Sequence, residues 1–371
     1  MYAISYSDIT AAALRIGPHI IRTPVLTCSA LSAAASHALG IRVEIFLKCE
    51  LFQKTGSFKV RGAMNAVFSL SDDAAALGVC THSSGNHAAA LAAAAAARGC
   101  AATVVMPRDA PELKVTATAG YGARIEMCPP GAPARAAAAA AIVTRTGASF
   151  VHPSENPGVI AGQGTVAVEF LEQMVEMTGA YPRQTMDCFQ SACSSPALDA
   201  ILVPVGGGGL VSGCAIGARG VDARVRVIGA EPLGVAGDGA DAARSLAANK
   251  LCTHSDAGAP ELLTCADGLR TSLGPNTWPI IRDHVPYIVT VSEDAVALAL
   301  CDVFERAKLV IEPSAAVGIA ATREASFLTA LGGDLLETAK QRPLRIGVVL
   351  CGGNADICAI AQLLANVPRL E

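Results

Sequence analysis

The sequence predicts an α/β protein with open, doubly wound parallel sheets. Two observations carry this: short β-rich runs alternate with helical patterns in the first half of the chain, and the same alternation resumes in the second half. A third narrows it, since no internal repeat period is evident and solenoid and propeller architectures drop out. In order, Val43–Leu47 is followed by the helical pattern Ser57–Phe68, Gly78–His82 by Ala88–Ala97, and Ala102–Met106 by Ala110–Gly120. Ile201–Val205 then precedes Leu210–Ala218, Arg226–Ala230 forms a further strand, and Arg345–Leu350 precedes Asp356–Ala365. In such a sheet the functional loops belong at the carboxyl ends of the strands. Tyr181–Asp199, with Pro182, Gln184, Ser191 and Pro196, reads as a polar surface loop or insertion without assigned chemistry.

At 371 residues the chain has room for two domains, or for one large domain with a lobe inserted into it. Hydrophobic residues make up 52%, but much of the excess is alanine in tracts such as Ala92–Ala97 and Ala136–Ala141, which read as helix. No run of ~18 apolar residues is free of polar breaks, so no membrane span is expected. Met1–Ile9 lacks a basic start and an apolar stretch, so a cytoplasmic location is expected. Thirteen cysteines, an odd number without close metal-ligand pairs, read as reduced thiols. A net charge of −4 gives no general attraction to nucleic acid or anionic lipid and leaves a small molecule as the expected partner.

Four segments offer chemistry. Lys59 follows the small-residue turn Lys54-Thr55-Gly56-Ser57 where an apolar run opens a helix, the place for a Schiff-base lysine. Burial beside Phe58 and near Arg61 would lower its pKa; the plain alternative is a surface lysine. Gly206-Gly207-Gly208-Gly209 lies between a strand and a helix, where backbone N–H groups and the helix N-terminus can hold a phosphate; the alternative is a flexible turn. It is no dinucleotide fingerprint, because the third glycine of that pattern would fall on Val211 or Ser212. Thr81-His82-Ser83-Ser84-Gly85-Asn86-His87 offers hydroxyl, amide and N–H groups for a carboxylate or a ring oxygen, and reads equally as a serine N-cap with a turn glycine. Val348–Asn354 carries a thiol, Cys351, which alone reads as core.

Together these segments resemble the serine/threonine dehydratase group of fold-type II pyridoxal-phosphate (PLP) enzymes, which includes the serine racemases. The resemblance runs through Lys48–Ala66, Thr81–His87, His152-Pro153, Val159–Thr165, Val203–Leu210, Asn276–Asp283, Ile311-Glu312-Pro313 and Cys351–Asn354. It implies a tryptophan synthase β-like fold, two open twisted α/β domains with PLP between them: a large domain of 1–74 plus 153–371 and a small one of 75–152. It also implies a chain without the C-terminal regulatory domain of biosynthetic threonine dehydratases, acting as a homodimer. Carried onto matching positions, Lys59 holds PLP and acts as base on one face of the substrate Cα. Phe58 lies against the ring, Asn86 bonds its hydroxyl, Gly206, Gly207, Gly208 and Gly209 bind its phosphate, and Cys351 stands near its nitrogen. Ser83, Ser84, Asn86, His87, Arg135 and Thr271 contact the amino-acid substrate.

The group's dehydratases commonly have alanine where this chain has Ser84, and a serine there implies a second base on the opposite face, as inversion requires. The implied activity is racemisation of serine with elimination of water from L-serine or L-threonine, to pyruvate or 2-oxobutanoate. The rivals are a dedicated L-serine/L-threonine ammonia-lyase and, from another class, a non-catalytic protein that binds PLP or an amino acid. Ser154 stands where the group has asparagine, and Thr271 where it has serine. Lys54, Thr55 and Tyr121 match an ATP effector site, but Ala89 stands where the racemases have glutamine. Glu231-Pro232 implies a Mg²⁺ or Ca²⁺ site held by Glu231, the Val235 carbonyl and Asp238, with Gly237 at the position an ungapped match assigns to the aspartate; the alternative is a solvated acidic loop.

Overall fold

The computed structural model describes residues 2–180, 195–254, 256 and 262–365. Among them two sheets form. The larger has six strands in the order β1 (Val25–Thr27), β2 (Val43–Cys49), β10 (Leu344–Leu350), β7 (Ala200–Pro204), β8 (Arg226–Pro232) and β9 (Ile288–Val291). All its pairings are parallel except β1 against β2. The smaller is wholly parallel, in the order β5 (Arg124–Cys128), β4 (Ala102–Pro107), β3 (Val79–His82), β6 (Ser149–Phe150). Every strand of the smaller sheet comes from one continuous stretch of chain, whereas the larger sheet joins strands from before and after that stretch. The central strand β7 is buried at all five positions, as helices on both faces of a parallel sheet require.

The helix Pro157–Thr178 is the spine that sets the site. Its start is fixed by Pro157 and by the Asn156 side chain, which accepts the Val159 N–H at 3.1 Å, and it ends at the left-handed Gly179. Two glycines on it admit neighbouring backbones. A Cβ on Gly162 would lie 2.6 Å from the Arg61 carbonyl, and one on Gly164 2.7 Å from the Gly213 carbonyl. The helices Lys59–Phe68 and Gly209–Val221 therefore seat backbone to backbone on one spine, so the lysine and the glycine loop at their N-terminal ends are held in a common frame.

A buried ionic cluster locks the same elements. The Arg61 guanidinium, fully buried, donates to both Glu50 oxygens at 2.7 Å and to Glu169 at 2.9 and 3.1 Å. Lys48 Nζ donates to Glu169, Gln173 and the Thr23 carbonyl. Two cations and two carboxylates with nearly every polar atom bonded can tolerate burial; removal of one partner would strand a charge.

Most of the Tyr181–Asp199 loop lies outside the described residues. Its end does not fit a surface loop: Leu198 and Asp199 are buried, and Asp199 accepts both Arg342 donors at 2.7 Å where β7 begins. The helix Ile357–Ala365 buries only Ile360. No helix among the described residues is long and apolar enough to cross a membrane.

Candidate active site

The site forms where β2, β7 and β10 end, against the loop after β3. From Cys49 the chain makes two short 3₁₀ turns, Glu50–Phe52 and Lys54–Gly56, and Lys59 opens the next helix. The Phe58 N–H donates to the Cys351 carbonyl at 3.0 Å, and Ser57 bridges Gly352, which stitches the lysine loop to the end of β10. Lys59 Nζ donates to the Pro153 carbonyl at 3.1 Å and lies 5.1 Å from the centre of the Phe58 ring. Burial lowers its pKa to about 8, while Cys351 and Glu312 pull the other way. Arg61, expected from the sequence to help lower it, is instead neutralised by Glu50 and Glu169, and burial carries the shift.

Gly206 to Gly209 follow β7 and open the helix Gly209–Val221. Gly208 takes φ +80°, and a Cβ there would meet Leu273, Thr277 and Ile281 within 2.9 Å. A Cβ on Gly207 would lie 2.5 Å from Ser154 Oγ and 3.4 Å from Thr271 Cγ2. Ser154 and Thr271, the two positions that depart from the family pattern, therefore both sit against this loop, Ser154 buried and Thr271 exposed.

The loop after β3 carries Ser83 and Ser84, both half-buried, and leads into the helix that starts at Asn86 and His87. Asn86 Nδ2 donates to both Glu312 oxygens at 3.0 Å, and its Oδ1 accepts from Asn354 Nδ2 at 2.9 Å. Nothing in the sequence spacing marked Glu312 or Asn354 as members of the site. Glu312 is fully enclosed, and burial raises its carboxyl pKa to about 7 although the Asn86 hydrogen bond opposes the shift. Cys351 is buried with its thiol pKa pushed well up, first by burial and then by Glu312, so it stands as a neutral thiol.

His87 and His152 are held neutral. Burial and the charge of Lys59 push His87 down to about 3; burial and His82 push His152 down to about 4. His152 Nδ1 accepts the Ser154 and Glu155 N–H groups at 3.2 and 3.0 Å, which leaves Nε2 to carry its proton. His87 Nε2 meets the Val151 carbonyl at 3.2 Å, and its Nδ1 is buried without a partner among the described residues, as is Ser57 Oγ. Arg135, in the first turns of the helix Ala132–Thr146, is near enough to depress the pKa of His82.

At the edge of the sheet, Glu231 on β8 accepts the Ala242 and Ala243 N–H groups at 3.1 Å. Beside it stands Asp241: burial and then Asp241 raise the pKa of Glu231. The loop Leu233–Ala240 between them folds back, the Gly239 N–H donating to the Leu233 carbonyl at 2.8 Å. The Asp238 Oδ1 is buried without a partner, and Val235 is a 72% exposed side chain whose N–H is bonded to the Leu263 carbonyl. Among the described residues no group of three or more His, Cys, Asp or Glu is arranged to hold a metal.

A half-buried lysine of lowered proton affinity, a glycine loop at a helix N-terminus and a pair of open α/β sheets define a cofactor-dependent enzyme, and comparison with known proteins gives its class. The family model described as "Pyridoxal-phosphate dependent enzyme" matches residues 16–352, and the chain belongs to that family. It is 42% identical over 371 residues to the serine racemase of Homo sapiens, covering 99% of this chain and 96% of that protein. Among solved structures it resembles maize serine racemase (TM-score 0.82, 37% identity, 98% of each chain) and the threonine deaminase of T.th. (TM-score 0.77, 38% identity, 95% of this chain and 99% of that one). The residues fit the family's cofactor: Lys59 is half-buried with its pKa lowered to about 8 by desolvation, no side chain at Gly206–Gly209 obstructs the backbone N–H groups, and Phe58 lies beside the lysine.

Proposed function

We propose that the protein interconverts L- and D-serine and also eliminates water from L-serine and L-threonine. What supports this reading is that the loop after β3, which carries Ser84, leads into His87 and Asn86 beside the lysine: after burial, the charge of Lys59 depresses the pKa of His87, and Asn86 donates to Glu312. Inversion at a carbon requires a proton to leave one face and another to arrive at the opposite one.

PLP, when bound, supplies an electron sink for the charge left on the substrate Cα. Gly206–Gly209 would hold its phosphate with backbone N–H groups, Phe58 would lie against its ring, and Asn86 and Cys351 would serve its hydroxyl and its nitrogen. Cys351, a neutral thiol, cannot hold a full positive charge beside it as a carboxylate would, which favours early loss of the β-hydroxyl. Lys59 Nζ, which burial makes neutral in about a tenth of molecules at pH 7, takes the Cα proton. Ser84 Oγ returns a proton to the opposite face in racemisation. In elimination the Lys59 ammonium gives its proton to the departing hydroxyl. Ser83, the Asn86 amide and Arg135 orient the substrate carboxylate, and neutral His87 offers hydrogen bonds without a competing charge. Thr271 and Ser154 shape the pocket beside Gly207.

A divalent cation, Mg²⁺ or Ca²⁺, would be held by Glu231 and Asp241, since a hard cation would offset the cost of two carboxylates buried side by side. The prediction is that Mg²⁺ raises the thermal midpoint of the protein and that Asp241→Asn, not Asp238→Asn, removes the rise; the reverse pattern would restore the Asp238 assignment. A cytoplasmic homodimer is the setting we expect.

The test is one incubation of purified, PLP-loaded protein with L-serine and Mg²⁺, following D-serine and pyruvate in the same sample. Both products support the reading. Pyruvate alone favours a second one, an L-serine/L-threonine ammonia-lyase, which the likeness to a threonine deaminase also supports. Neither product would sink both.

A further inference from the structure

At the amino ends of the parallel strands β7 and β8, across the sheet from the glycine loop, lies a hollow of about 140 Å³. Arg219, from the last turn of the helix Gly209–Val221, Arg226, the first residue of β8, and His284, the last residue of the helix Trp278–His284, line it between Val225 and Pro286. Its charge balance is uneven. The two carboxylates nearby already have partners: Asp334 takes both hydrogen bonds of Arg226 Nη2 at 2.6 and 2.7 Å, and Asp283 is held by Arg282 and by the Tyr2 hydroxyl. Arg219 is exposed and has no hydrogen-bonding or ionic partner among the described residues, and His284 Nε2 is buried without one. The Tyr2 ring stands edge-on to His284 with centroids 5.0 Å apart.

We propose that this hollow is a second ligand site, separate from the PLP cleft, that binds a small oxyanion of phosphate size through Arg219 and His284 with Arg226 at its rim. An unpaired guanidinium and an unpaired imidazole on a polar hollow are the donor set of an oxyanion site, and the guanidinium fork matches a tetrahedral or planar oxyanion. The volume decides the size of the ligand, since pockets for nucleotides or drug-sized molecules start at roughly 300 Å³. Arg219 also lies in the last turn of its helix, where a cation offsets the exposed carbonyls. That role alone would not leave the His284 Nε2 orphaned beside it. The site does not depend on the reaction proposed above.

The test uses the holoenzyme, whose glycine loop already carries the PLP phosphate. Inorganic phosphate is titrated by calorimetry against a chloride control of equal ionic strength. Saturable binding in the range of about 1 mM is expected, weakened about tenfold or more by Arg219→Ala and by His284→Ala. Asp334→Asn, which releases Arg226 from its carboxylate, should tighten it severalfold. All three variants should keep the PLP absorbance and the serine turnover of the parent, which shows that they fold. No saturable binding below about 20 mM, unchanged affinity in Arg219→Ala, or phosphate competing with L-serine would each overturn the proposal.

Discussion

Lys59 binds its proton loosely because it is desolvated, and two acidic groups in the cleft, Cys351 and Glu312, limit how far the pKa falls. Replacement by alanine should abolish both D-serine and pyruvate formation together with the visible absorbance of bound PLP; turnover by clean Lys59→Ala protein would refute its role. Ser84→Ala should remove racemisation while elimination from L-serine continues within a few fold, and equal loss of both would contradict the two-proton scheme. Glu312 adds a pH signature. Its pKa rises from 4.5 to about 7 on folding, so between those values the folded state binds the extra proton. Stability of the PLP-free protein should therefore fall as pH rises through that window, by on the order of 3 kcal/mol in total. Glu312→Gln should flatten the slope, as read from urea midpoints at pH 4.5 and 8. A slope unchanged in the variant would assign it to other groups.

At the scale of elements, the glycine loop and the spine helix do the positioning. Gly208→Ala forces a side chain into φ +80° and against Leu273 and Ile281, so PLP affinity should fall at least about tenfold, read from absorbance titration. The loop was legible because strand, glycines and helix are contiguous in sequence. So were the buried strands β2, β4, β7 and β10, whose apolar runs announce themselves. Four strands were not. β1 and β6 are only 3 and 2 residues long, β5 buries only its last residue at a sheet edge, and β9 is a short edge strand. The same limit explains the metal loop: from spacing alone, nothing says how a loop with Gly234, Gly237 and Gly239 folds back, so Asp238 was expected where Asp241 stands. Glu312 lay in a segment that carried the resemblance but had no role, because its tie to Asn86 joins residues over two hundred positions apart, which no local pattern records.

At the scale of the molecule, the two sheets meet across the cleft through few polar links. Lys114, on the helix Glu112–Gly120 of the smaller-sheet lobe, pairs with Asp267 at 2.5 Å beside the segment that packs on Gly206. Both side chains are partly exposed, so the pair is worth under about 1 kcal/mol, and Lys114→Met should raise the KM for serine about two- to fivefold with little change in kcat. A far larger effect would mean that Lys114 touches the substrate. The strand order also sets a timetable for synthesis. The strands of the smaller sheet emerge from the ribosome in one uninterrupted stretch and can pair at once, but β2 must wait for β10, some three hundred residues later, to find its neighbour. The lysine and the glycine loop thus face a common cavity only when the chain is nearly finished. Truncated nascent chains stopped before β10 should protect the smaller lobe from protease yet capture no PLP, which makes cofactor loading a checkpoint on completed translation.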